Sequence, residues 1–248
     1  MVDSQLILAN QDNTLFSVRL DSGSKNWEYQ TQVTKLKTNF INNIAVDKIN
    51  KSIIFLNTSG ELYSVNYITK KINWILYLKK ITPSTETDLF KSLPIILKDE
   101  KLILSTNKSL SLFLSTSGEK IWERFIVSDT KPILNQNYLF LISQDYYLIC
   151  IDVLSGQTVW SQNIYRQIDN KKKLAKIQNK VGSPTSFTIA DSKIFVITSN
   201  GYTLIFNYLD GKIKSKDKTL ISSISNIPVF SNGFIYLLDR SFRLRKYN

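Results

Sequence analysis

Leu148-Ile149-Cys150-Ile151-Asp152-Val153-Leu154-Ser155-Gly156-Gln157-Thr158-Val159-Trp160 reads as a strand, a tight turn and a returning strand. The first half is aliphatic and β-branched, the composition of a strand buried on both faces. Ser155-Gly156 marks the turn, because glycine accepts the positive φ that a short hairpin demands. Trp160 follows four residues after the glycine. The same phrase returns as LFSVRLDSGSKNW from Leu15 to Trp27, LYSVNYITKKINW from Leu62 to Trp74 and LSLFLSTSGEKIW from Leu110 to Trp122. LIFNYLDGKIKS, from Leu204 to Ser215, reads as a decayed fifth copy. One hairpin used this often indicates a repeat architecture.

The turn glycine or its substitute falls at positions 23, 70, 118, 156 and 211, giving intervals of 47, 48, 38 and 55 residues. Lys70 stands where glycine is expected, and Trp74 follows on time. Between successive copies the chain alternates short apolar runs with turn residues, which predicts four short strands per unit and almost no helix. That period and strand number are those of a β-propeller blade. The expectation is an all-β fold of four-stranded antiparallel blades, about six of them, in one domain spanning residues 1–248. The longest interruption, residues 165–182, reads as an inserted basic loop carrying Arg166, Lys171, Lys172, Lys173, Lys176 and Lys180 against the single acid Asp169.

Composition narrows the chemistry. The 248 residues contain no His, which removes Ser-His-Asp and Cys-His catalysis and histidine-ligated zinc. The one cysteine, Cys150, lies inside an apolar strand and reads as a small core residue. Asp145, Asp152, Asp191, Asp210 and Asp239 fall at hairpin or strand-end positions, where turn chemistry already accounts for Asp. No run approaches the ~18 apolar residues of a membrane-spanning helix. The net charge of +12 could serve nucleic acid, anionic lipid or an acidic protein partner. It could equally be lysine spread over solvated faces. The aromatics sit inside strand patterns, where they pack rather than stack on bases, so no specific nucleic-acid partner is expected.

The phrase "apolar strand, Ser-Gly, three residues, Trp" resembles the repeat of the PQQ-like β-propeller family. Gly23 with Trp27, Gly118 with Trp122 and Gly156 with Trp160 carry the resemblance, while Trp74 lacks its glycine and Gly211 its tryptophan. The resemblance implies that each Trp lies on the outer strand of a blade and docks against the neighbouring blade, a structural role. Members without enzyme features are similar to BamB, an eight-bladed lipoprotein accessory of the outer-membrane β-barrel assembly machinery. That likeness implies a non-catalytic, periplasmic, outer-membrane-associated scaffold with no cofactor, docking onto a BamA-like barrel component through loops on one face. Residues 165–182 are the local candidate for such a loop, with Arg166, Lys171, Lys172 and Lys173 as contact residues.

Quinone-dependent dehydrogenases share the repeat, but the resemblance would then require an adjacent Cys-Cys pair and a carboxylate metal site, for which this chain offers a single Cys and no ligand cluster. A sensor or adaptor propeller of a larger protein remains the other reading. The first unit begins at its second strand and the last stops at its third. The expectation is therefore that this chain is the C-terminal part of a longer one, with about two further blades, a signal sequence and a lipid anchor upstream.

Overall fold

The computed structural model describes residues 4–31, 43–79, 90–218, 229–238 and 242–247. Its strands form six antiparallel sheets, each built from consecutive segments of chain. Where the sequence suggests one domain, the contacts group the chain into two compact units, Met1–Phe125 and Ile126–Asn248. Each unit holds three sheets.

The first unit opens with β1 (Gln5–Ala9), β2 (Thr14–Arg19) and β3 (Lys25–Gln30). Next come β4 (Asn43–Asp47), β5 (Ser52–Leu56), β6 (Glu61–Asn66) and β7 (Ile72–Tyr77), then β8 (Ile96–Lys98), β9 (Lys101–Ser105), β10 (Leu110–Leu114) and β11 (Lys120–Arg124). β5 shows why the strand runs are apolar without alternation. Ile53 and Phe55 pack toward the first sheet, with Leu15, Trp27, Tyr63 and Val65. Ile54 and Leu56 point the other way, into a core shared with Leu62, Leu102, Leu104 and Phe113. A strand covered on both faces has no solvent side to make polar.

The second unit contains β12 (Ile133–Asn135), β13 (Tyr138–Ile142), β14 (Tyr147–Asp152) and β15 (Thr158–Asn163). It continues with β16 (Pro184–Ala190), β17 (Lys193–Thr198), β18 (Tyr202–Asn207) and β19 (Ile213–Lys218), and ends on β20 (Val229–Ser231), β21 (Phe234–Leu238) and β22 (Leu244–Tyr247). The insertion between β15 and β16 corrects the sequence reading. It is two helices, α1 (Ile164–Ile168) and α2 (Leu174–Val181), not a loop. Ile164, Tyr165, Ile177 and Val181 are buried in one core with Phe140, Leu148, Phe187, Val196 and Leu204. The lysine-rich composition hides an apolar face at helical spacing, since Leu174, Ile177 and Val181 recur at intervals of three and four.

The hairpin that organised the sequence reading is the same object in five sheets. At the turn glycine, φ is +67° for Gly23, +75° for Gly118, +68° for Gly156 and +67° for Gly211, and Lys70 adopts the same conformation at +64°. Each of these residues donates its N–H to the carbonyl four residues earlier, at 2.8–3.1 Å. Each hairpin also contains one register shift, at Ser17/Val18, Ser64/Val65, Leu112/Phe113, Cys150/Ile151 and Ile205/Phe206. The phrase therefore encodes a bulged hairpin, with the left-handed residue closing the turn and the bulge re-aiming the outer strand.

Candidate partner-binding surface

The tryptophans occupy the outer strands β3, β7, β11 and β15. In the first unit the Trp74 indole lies on Gly118 of the next sheet. A Cβ added to Gly118 would stand 2.9 Å from Trp74 Cδ2 and 3.0 Å from Cε3. Trp74 Nε1 donates to the Ser115 carbonyl in the same turn at 3.0 Å. In the second unit Trp160 covers Gly211 in the same way, its Cε3 2.6 Å from where a Cβ would be. Trp27 is buried against Tyr67, Tyr63 and Val65, and Nε1 has no hydrogen-bond partner among the described residues. Trp122 is half-buried on β11 opposite Leu112. Gly23 has nothing within 4 Å of a Cβ.

The same docking is tied down by polar contacts that the sequence reading missed. Ser115 Oγ donates to Asp47 Oδ2 at 2.8 Å, and Asn50 N and Nδ2 donate to the two Asp47 oxygens at 3.0 Å each. Burial alone would push the Asp47 carboxyl up, but these donors hold it below the ordinary value. Between the first two sheets, Asn13 Nδ2 donates to Thr58 Oγ1 at 2.9 Å and Thr58 N to Asn13 Oδ1 at 3.1 Å. Behind them the buried Glu61 carboxylate accepts from Asn57 Nδ2 at 2.8 Å and from the Tyr63 hydroxyl at 2.6 Å. Burial, and then the bond to Glu61, pushes the Tyr63 phenol well above its usual range. The only advance signal was the repeated Asn in the turns at Asn13 and Asn57.

The helical insertion is positioned by its apolar face and by four polar ties. The Tyr165 hydroxyl donates to the Gly182 carbonyl at 2.9 Å, and Gln178 Nε2 donates to Tyr146 Oη at 2.9 Å. Thr198 Oγ1 donates to the Val181 carbonyl at 2.6 Å, and the Ile213 N–H to Gln167 Oε1 at 3.3 Å. With that side fixed, Arg166, Lys171, Lys172, Lys173, Lys176 and Lys180 all project to solvent. Two of them are partly engaged. Arg166 Nη1 donates to the Asn170 carbonyl at 3.4 Å, and Lys172 Nζ donates to Asp169 Oδ2 at 2.6 Å. The Lys172 bond, joined by the Lys171 and Lys172 N–H groups, holds the Asp169 carboxyl below its usual range. Among the described residues, no carboxylate pairs with Lys171, Lys173, Lys176 or Lys180. The structure thus gathers the predicted basic residues on one short helical platform, well apart in role from the blade-docking Gly and Trp positions. Burial pushes the Cys150 thiol up to about 12, which keeps it a neutral core residue.

The family model described as outer membrane protein assembly factor BamB matches residues 1–162. The chain belongs to the BamB family. It is 24% identical over 180 residues to BamB of Escherichia coli K12, an alignment taking in 71% of this chain and 42% of that protein. It is 21% identical over 188 residues to BamB of Yersinia pestis, covering 74% of this chain and 44% of that one. The chain thus spans less than half the length of the curated relatives it matches. Among solved structures it is similar to BamB from Moraxella catarrhalis, with a TM-score of 0.72 and 16% identity over 99% of this chain and 70% of that one. The likeness establishes the fold as that of a β-propeller of PQQ-like repeats.

Proposed function

We propose that this chain is a non-catalytic scaffold of outer-membrane β-barrel protein assembly, acting at the periplasmic side of that membrane. The observation that carries the proposal is the family match to an outer membrane protein assembly factor over residues 1–162. Two features of the chain support it. Gly118 and Gly211 are taken up by packing under Trp74 and Trp160, and Asp152 is taken up by its own hairpin, accepting from Ser155 N at 2.8 Å. The basic platform of α1 and α2 is rigidly seated yet presents Arg166, Lys171 and Lys173 outward, suited to an acidic protein surface. The partner would be a BamA-like component of the assembly machinery, with this platform as the docking edge.

The test is capture of the periplasmic region of a BamA-type barrel protein from the same organism by immobilised chain, at low and moderate salt. The parent chain is expected to retain it, and a Lys171→Glu, Lys173→Glu, Lys176→Glu variant to weaken retention by about tenfold or more while melting at the same temperature. Equal retention by the two would remove the platform from the interface. No retention by either would overturn the assembly role for this partner.

A further inference from the structure

The last sheet of the second unit carries a turn with chemistry of its own. Ser231 pairs with Phe234, which leaves Asn232 and Gly233 as the whole loop between β20 and β21. Both are left-handed, with φ of +51° and +78°, as a two-residue hairpin loop requires. The chain has one other Asn-Gly pair, Asn200-Gly201, and one Asp-Gly pair, Asp210-Gly211. In such pairs the glycine nitrogen can attack the side-chain carbonyl carbon of the residue before it, because glycine has no Cβ to shield that nitrogen. The fold treats the three pairs differently. The Asn200 amide donates to the Asn179 and Lys180 carbonyls at 3.0 and 3.2 Å, and the Gly201 N–H is taken by the Thr198 carbonyl at 3.0 Å. The Gly211 N–H is taken by the Asn207 carbonyl at 2.9 Å, under the Trp160 indole. Both of these glycines are buried. Asn232 and Gly233 are exposed, and a Cβ on Gly233 would meet nothing within 4 Å. Among the described residues neither the Asn232 amide nor the Gly233 N–H has a hydrogen-bond partner.

We infer that Asn232 is a site of spontaneous deamidation, while Asn200 is protected by the fold. The Gly233 nitrogen bonds to Asn232 Cγ and the Cγ–Nδ2 bond breaks. Nδ2 leaves as ammonia, carrying the proton that the Gly233 nitrogen gives up. Water then opens the cyclic imide at either carbonyl, to aspartate or to isoaspartate. The turn must loosen for Asn232 Cγ to reach that nitrogen. Three residue pairs hold β20 on β21, so fraying at this end of the sheet is easy. The isoaspartyl product routes the main chain through Cβ and Cγ, one atom longer between residues 232 and 233. Loop length sets hairpin register, so the added atom breaks the pairing of Ser231 with Phe234. β21 keeps β22 through four pairs, and β20 is the strand that comes away. The site is therefore a built-in mark of age that loosens the last sheet.

Incubation of the whole chain at pH 8, followed by digestion and mass spectrometry, tests the inference, with isoaspartate told from aspartate by isoaspartyl methyltransferase. Conversion at Asn232 is expected to run at least about tenfold faster than at Asn200 in the folded chain, and the two rates to converge in urea, where both pairs are equally free. Equal rates in the folded chain, or an unchanged Asn232 over a time in which the urea-unfolded chain converts, would overturn it. Hydrogen exchange separates the backbone effect from the new charge. Protection of residues 229–236 should fall about tenfold or more in the isoaspartyl species, whereas an Asn232→Asp variant should keep it, because Asp tolerates the left-handed turn. An equal fall in Asn232→Asp would overturn the register step.

Discussion

Gly118→Ala separates the two reasons for a glycine in the hairpin turn. The first reason is backbone conformation. At φ +75° an alanine costs about 1–2 kcal/mol, because Cβ crowds the carbonyl in the left-handed region. The second is space. The new Cβ would stand 2.9 Å from Trp74 Cδ2, so the indole must move, and with it the hydrogen bond from Nε1 to the Ser115 carbonyl. Overpacking of a fitted contact costs about 1–3 kcal/mol more. The expected loss is then about 2–5 kcal/mol, a large share of a typical domain's stability. Gly23→Ala is the control within the same unit: its φ is +67°, but nothing lies within 4 Å of the added Cβ. It should lose only the conformational ~1–2 kcal/mol. Urea unfolding followed by circular dichroism gives both numbers. Combining Gly118→Ala with Trp74→Ala should then cost less than the sum of the two single changes by about 1–3 kcal/mol, since the clash disappears with the ring. Equal losses at Gly118 and Gly23, together with additivity at Trp74, would refute the docking argument.

Three further outcomes follow from the buried polar groups. Asp47→Asn should destabilise by about 1–3 kcal/mol at neutral pH, because a buried acceptor of three hydrogen bonds is disturbed. With the folded-state pKa of Asp47 depressed, its contribution is present above the unfolded value near 4 and lost as pH falls through the folded value, so the variant's stability should fall less steeply below about pH 4. Tyr165→Phe should cost about 1–2 kcal/mol in urea titration by leaving the Gly182 carbonyl without its donor, whereas no loss would mean that water replaces the hydroxyl. Cys150, with its thiol pushed up to about 12, should resist iodoacetamide at pH 8 for as long as the chain is folded and react once urea unfolds it. Rapid native labelling would mean that β14 opens readily.

The blades were legible in the sequence because their cause is local. A bulged hairpin needs a left-handed residue at one position, and glycine announces it at 23, 118, 156 and 211. The aliphatic runs announce burial on both faces. The helical insertion was not legible as helix, because lysines dominate its composition and its apolar face is only Leu174, Ile177 and Val181. What fixes α2 is tertiary, namely the Phe187 and Val196 side chains waiting on the next sheet. The Asp47–Ser115 and Asn13–Thr58 contacts were hidden for a similar reason. They join residues 68 and 45 positions apart, and nothing in either local stretch marks its partner.

The departures from the repeat are explained once each phrase is split into a receiver and a donor. Within one phrase, glycine and tryptophan are four residues apart and seem to belong together, yet Trp74 lies on the glycine of the following sheet, and so does Trp160. A glycine is thus demanded by the tryptophan of the copy before it, not by its own. The fifth copy looked decayed because it lacks Trp, but Gly211 is intact as the receiver of Trp160. Gly23 has no sheet before it among the described residues and open space above it, so only its φ of +67° keeps it glycine. Lys70 marks the other limit. It holds φ +64° at the corresponding position of the second sheet, and Trp27 is buried in one cluster with Tyr67, Tyr63 and Val65, its Nε1 without a hydrogen-bond partner among the described residues. The repeat is therefore best read as an interface code between successive sheets, offset by one copy from the hairpin that spells it.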